Sequence, residues 1–266
     1  MLIICNGMKR AGSTLQYNLI SDIIESRHNV VKHGYLKLDD QKTTLDLLFK
    51  YSEDEIFHVI KTHDIILDKM KDKLNTYKIS YVYRDLRDVA LSLINKGVLE
   101  EDIINILDKE VKKYYITLGN KDVIINRYED LYENPKSEIL AISKSLDICL
   151  TEGQLSEISE KNKYVSIRHN IGADLNLIQL IQHYFNTMFK KTPKWLKKIS
   201  HSLKINYFIR SFLIPKNVIT DGELHSDHIS ENNGEPNSWE KFLAGELVLK
   251  INKQFNDWLQ ETHYKI

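Results

Sequence analysis

The sequence predicts an α/β fold, an open and mostly parallel sheet flanked by helices. Two observations predict it. Four short apolar runs, "LIIC" from Leu2, "FHVIK" from Phe57, "ISYVYR" from Ile79 and "DVIINRY" from Asp122, are rich in Ile, Val and Tyr and read as buried parallel strands. The stretches between them carry helical period, and strands alternating with helices imply βαβ units.

The elements follow in chain order. The first strand runs into a turn and then a helix over residues 14–27, with Leu15, Leu19, Ile20, Ile23 and Ile24 on one face. Further helices are expected over 86–95 and 136–147. In open parallel sheets, ligands sit beyond the carboxyl ends of the strands, so the residues just after each strand matter most.

The chain's 266 residues suit one large domain or two small ones. They read as a single domain, 1–266, with a basic and helical insertion over 175–220. No acidic residue occurs from Leu175 to Thr220, yet Lys190, Lys191, Lys194, Lys197, Lys198, Lys204, Arg210 and Lys216 all fall there. That stretch is either a solvated insertion or, over 190–216, a surface for an anionic acceptor or a membrane.

Over the whole chain Lys+Arg and Asp+Glu are equal at 37 each, so no global charge points to nucleic acid or a membrane. Anion binding must come from local clusters. Cys5 and Cys149 make no disulfide framework, and both are expected to be buried thiols in a reducing compartment. "MLIICNG" has no charged leader, and no window reaches the ~18 apolar residues of a membrane span. A soluble, cytoplasmic protein is expected.

The stretch "ICNGMKRAGSTLQYNLI" carries the first chemistry. The phosphate loop of nucleotide hydrolases reads G-x-x-x-x-G-K-[ST] between a strand and a helix. Gly7, Gly12 and Thr14 fit that spacing, but Ser13 stands where the lysine belongs. The expected fold is therefore P-loop-hydrolase-like. Such a turn aims backbone N–H groups and a positive dipole end at an anion. Without the lysine it serves a γ-phosphate poorly, while Lys9 and Arg10 place positive charge earlier in the turn. A turn with no ligand is the plain alternative.

The second strand ends in "VIKTHD". Lys61 and His63 lie two apart, so their side chains point to the same side in extended chain. Histidine accepts protons near neutral pH, and lysine stabilises charge on a leaving group. The third strand ends in "YVYRDLRDVALSL", where Arg84 offers a guanidinium fork suited to phosphate and Ser92 follows two helical turns on. Arg87 and Asp88 are open to a reading as a solvated pair at a helix start. No carboxylate is placed with confidence to hold a metal, and no metal is expected.

These motifs together resemble the sulfotransferases that use 3′-phosphoadenosine 5′-phosphosulfate (PAPS). Their loop, roughly P-[KR]-[SA]-G-[ST]-T, compares with Lys9-Arg10-Ala11-Gly12-Ser13-Thr14. Their K-T-H motif appears as Lys61, Thr62 and His63, and R-x-x-x-D-x-x-x-S as Arg84, Asp88 and Ser92. Y-E-D-[LM]-x-x-[ND]-P appears as "YEDLYENP", Tyr128 to Pro135. The bacterial H-[IV]-S…G…W stretch appears as "HISENNGEPNSW", His228 to Trp239. The resemblance covers residues 3 to about 135 and about 220–245.

The resemblance implies transfer of a sulfuryl group from PAPS to an acceptor hydroxyl of a small phenol or alcohol, leaving 3′-phosphoadenosine 5′-phosphate (PAP). It implies that His63 is the base, and that Lys61 and Arg10 stabilise the leaving charge. Arg10, Ala11, Gly12, Ser13 and Thr14 would cradle the 5′-phosphosulfate. Arg84 and Ser92 would hold the 3′-phosphate with the segment containing His228, Ser230 and Gly234. Tyr128 would lie near the adenine, and Leu15 stands where many members carry a tryptophan against that base. Two further departures are Lys9 in place of the loop proline and the weakly charged His228–Gly234 segment. A P-loop nucleotide kinase or NTPase, and a non-catalytic nucleotide-binding protein on the same scaffold, are the competing readings.

Overall fold

The computed structural model describes residues 1–38, 42–64, 72, 74–120, 123–163 and 234–265. The basic stretch 175–220, with His228 and Ser230, lies outside the described residues.

Five strands form one sheet: β1 (Leu2–Gly7), β2 (Val30–Tyr35), β3 (Phe57–Lys61), β4 (Tyr77–Tyr83) and β5 (Val123–Arg127). Their order is β2-β3-β1-β4-β5, and every pairing is parallel. The chain lays β2 and β3 on one side of β1, then crosses to place β4 and β5 on the other. The strand order thus reverses at β1, which is where α/β sheets open a crevice for ligands.

The four expected strands are present. β2, "VVKHGY", is an additional one. It is an edge strand with a register shift between Lys32 and Gly34 and mostly accessible side chains, so it needs no apolar run. β1 differs because it is covered on both faces. Ile3 and Cys5 join one buried cluster, while Leu2 and Ile4 join another with Leu38, Leu48, Ile60, Leu74 and Ile79. Burial on both sides explains a continuous apolar strand.

Among the described residues the helices are α1 (Ser13–Glu25), α2 (Lys42–Glu53), α3 (Leu86–Asn95), α4 (Glu100–Leu118), α5 (Tyr128–Glu133), α6 (Pro135–Ser145), α7 (Glu152–Lys161), α8 (Trp239–Phe242), α9 (Gly245–Gln254) and α10 (Asn256–Glu261). α1, α3 and α6 match the expected helices within two residues. α1 buries Leu19, Ile20, Ile23 and Ile24 against the larger cluster, together with Val89 and Leu93 of α3. The C-terminal helices return to the same core through Leu247, Ile251, Phe255, Trp258 and Leu259. Pro135 opens α6 at a position where its missing N–H costs nothing.

Two expectations need correction. Cys5 is fully buried, and burial pushes its thiol well up, but Cys149 is exposed. It lies between buried Ile148 and half-buried Leu150, and the chain turns its side chain outward. Arg87 and Asp88 are not a solvated pair. Arg87 is 2% exposed, and its guanidinium pairs with Asp85 at 2.6 Å and stacks on Trp239 at 3.9 Å from the ring centroid. Adjacent residues on a helix do not face each other, so Asp88 turns elsewhere. Among the described residues no helix is long and apolar enough to cross a membrane.

The Arg87–Asp85 pair locks α3 to the C-terminal segment through Trp239. Arg87→Ala leaves Asp85 charged and buried, so it should cost about 3–5 kcal/mol in urea unfolding. Exchanging both partners for apolar residues of similar size should cost less, chiefly through the lost cap that Asp85 gives the Arg87 N–H at the start of α3.

Candidate functional site

The turn after β1 is built by close approach. A Cβ on Gly7 would stand 2.5 Å from a Val82 methyl, and one on Gly12 would stand 2.4 Å from the Tyr128 ring. Gly12 also holds φ at +85°, and Arg10, a non-glycine residue, holds +68°, a conformation that stores backbone strain near functional sites. Ala11 is buried and donates its N–H to the Met8 carbonyl at 3.2 Å. The first N–H groups of α1 have no partner within a helix by construction. No side chain caps that end, and its first turn carries no acidic residue. The positive end of α1 is therefore unneutralised locally. Ser13 and Thr14 are buried in its first turn, and Leu15 packs partly against the core.

Lys61 and His63 both come to this helix end. Lys61, at the tip of β3, is buried and donates to the Thr14 hydroxyl. His63 places Nδ1 3.0 Å from the Gly7 carbonyl. A carbonyl only accepts, so Nδ1 carries the hydrogen and Nε2 is the basic nitrogen of the neutral ring. Nε2 stands 3.5 Å from the Ser13 hydroxyl. Burial, assisted by the Lys61 charge, holds the imidazolium below its usual range, while the Gly7 bond opposes this. His63 is thus neutral at neutral pH, the state a base requires.

Arg84 closes β4 and is 7% exposed. Its guanidinium carbon lies 4.2 Å from the centroid of the Tyr128 ring. Its Nη2 reaches the Asp88 carboxylate at 3.3 Å and the carbonyls of Gly234 and Glu235 at 3.2 Å each. The buried Nε has no partner among the described residues. Tyr128 donates its hydroxyl to the Gly234 carbonyl at 2.7 Å, so Gly234 joins Arg84 and Tyr128. Asp88 accepts from the backbone N–H groups of Asn237 and Trp239 at 2.8 and 3.0 Å. It pins the C-terminal segment over the site, and burial raises its carboxyl despite Arg84.

The two clusters that the sequence set apart meet through Arg10. Its Nε donates to the Ser92 hydroxyl at 2.9 Å. Burial holds the Arg10 guanidinium below its usual range, and the neighbouring charge of Arg84 adds to that. Two guanidiniums crowd one side of the glycine turn, an arrangement that an anion between them would relieve.

Sequence reasoning missed two site residues on α4. Glu110 is 1% exposed and accepts the Lys9 N–H at 2.9 Å and the Lys113 ammonium at 3.2 Å. Lys113 also donates to the His63 carbonyl at 3.0 Å. The available signal was a carboxylate on the inward stripe of α4, beside Ile103, Leu107 and Tyr114.

No protein-family model matches the chain, and no curated protein matches it. Solved structures do. Mouse sulfotransferase SULT7A1 complexed with PAP aligns at a TM-score of 0.61 and 12% identity, over 97% of this chain and 84% of that one. Retinol dehydratase with androsterone and the inactive cofactor PAP aligns at 0.58 and 18% identity, over 100% and 82%. Retinol dehydratase with retinol and PAP aligns at 0.59 and 18% identity, over 100% and 83%. The chain therefore has the fold of these PAP-bound proteins, an all-parallel α/β sheet with helices on both faces.

Proposed function

We propose that this protein is a sulfotransferase that moves the sulfuryl group of PAPS to an acceptor hydroxyl. The observation that carries this reading is the convergence of Arg10, Arg84, Ser92 and the N-terminus of α1 around one glycine turn, with the basic nitrogen of His63 facing Ser13. The Nε of Arg84, without a partner among the described residues, is a donor that fits a bound phosphate. The solved structures of the same fold hold PAP.

In this reading the chain's residues divide the work. Arg84 and Ser92 hold the 3′-phosphate, and Tyr128, stacked on Gly12, lies near the adenine. The N–H groups opening α1 and Arg10 receive the 5′-phosphosulfate. His63 Nε2 takes the proton of the acceptor hydroxyl as that oxygen bonds to sulfur and the bridging S–O bond breaks. Lys61, already at the start of α1 through Thr14, stabilises the charge on the departing 5′-phosphate. The acceptor is a small alcohol or phenol, in keeping with the androsterone and retinol in the retinol dehydratase structures.

Transfer of label from ³⁵S-PAPS to a panel of phenols, alcohols, amines and glycans tests the reading. Labelled product with at least one hydroxyl acceptor is expected. Stabilisation by ATP–Mg²⁺ with no response to PAP would favour a nucleotide kinase, and PAP binding without transfer a binding protein. His63→Ala should lower turnover by roughly 10²–10⁴-fold with donor affinity nearly unchanged. Arg84→Ala should instead weaken PAP binding by about ten- to a hundredfold in calorimetry, as expected for a lost charge-assisted hydrogen bond.

The acidic limb of the kcat/KM profile, which reports the free enzyme, should lie below the ordinary histidine value of 6.5, because the shift of His63 is downward. Gly12→Ala should lower stability by about 1–3 kcal/mol and weaken PAP binding, because strain at positive φ adds to a clash with Tyr128.

A further inference from the structure

We propose that Glu110 and Lys113 are positioning residues that hold His63 against the glycine turn. The proposal rests on the reading of His63 as the base. Four contacts close a ring. The His63 imidazole donates to the Gly7 carbonyl at 3.0 Å, and the His63 carbonyl accepts from Lys113 at 3.0 Å. Lys113 pairs with Glu110 at 3.2 Å, and Glu110 accepts the Lys9 N–H at 2.9 Å. The peptide chain from Gly7 to Lys9 completes the circuit. One buried carboxylate uses one oxygen on the turn and the other on the lysine that grips the base-bearing segment.

A buried carboxylate is expensive unless it is paired and hydrogen-bonded. Both oxygens of Glu110 are engaged, one by the Lys9 N–H of the distant turn and the other by Lys113 one turn along the same helix. Among the described residues neither side chain hydrogen-bonds to Ser13 or to Nε2, so both act through His63 and the turn. Removing either opens the ring and frees the imidazole to drift from its approach to Ser13.

The charges around His63 make the brace measurable. Lys61 faces it from β3, Glu110 and Lys113 face it from α4, and the Tyr35 ring of β2 lies 6.1 Å away, centroid to centroid. Glu110 favours the imidazolium, whereas Lys61 and Lys113 disfavour it. Losing Lys113 therefore raises the protonation midpoint of His63, and losing Glu110 lowers it.

The test is an NMR titration of the His63 ring in wild-type protein, Lys113→Met, Glu110→Gln and Lys113→Arg, with PAP calorimetry and turnover on the same samples. Lys113→Met should move the midpoint up and Glu110→Gln down. Lys113→Met should also lose about tenfold or more in kcat with donor KM almost unchanged, and Lys113→Arg should restore most of both. Lys113 is partly exposed, so its variants keep the test available if Glu110→Gln fails to fold. Midpoints that coincide in Lys113→Met and wild type, or wild-type turnover in Lys113→Met, would overturn the brace. Wild-type protein that binds no PAP would instead overturn the donor reading, while the titration still decides whether the brace exists.

Discussion

Much of the site depends on one stack. Arg84 lies over the Tyr128 ring, and that ring also meets Gly12, where no Cβ fits. Three segments separated by more than forty residues each are joined there, and Gly234 ties in a fourth by accepting from both Arg84 and Tyr128. The glycine at position 12 is thus needed twice, once for its left-handed backbone and once for contact with an aromatic face.

Charge explains why the stack lies at a strand mouth. The chain is electrically neutral as a whole, so its attraction for an anion is local. Arg10 and Arg84 are brought close enough for one to depress the other, and the helix end beside them carries no carboxylate of its own. Asp88 and Glu110 partly balance these cations, but each spends its oxygens on backbone N–H groups as well. The carboxylates therefore organise the walls and leave positive potential in the mouth.

Much of this was legible in the sequence, for identifiable reasons. β1, β3, β4 and β5 appear as apolar runs because a parallel sheet between layers of helices buries most of its strands. Arg10, His63, Arg84, Ser92 and Tyr128 are found by looking just past strand ends. β2 was hidden because an edge strand with accessible residues has no such pattern. The burial of Arg87 was hidden because its partners include Trp239 and Asn252, far away in sequence. Glu110 and Lys113 lacked any motif, and only the fold brings α4 against the turn. The meeting of Arg10 with Ser92 likewise depends on tertiary geometry, since the family resemblance assigned them to opposite ends of a ligand.

The central claim is that neighbouring strand tips grip one doubly phosphorylated adenosine. A crystal structure of the protein with PAP tests it most directly. The account predicts the 3′-phosphate within hydrogen-bonding distance of Arg84 and Ser92, the 5′-phosphate at the first turn of α1, and His63 Nε2 facing the space beyond it. PAP bound away from the glycine turn, or bound there with Arg84 still directed only at Asp88 and the Gly234 and Glu235 carbonyls, would contradict it.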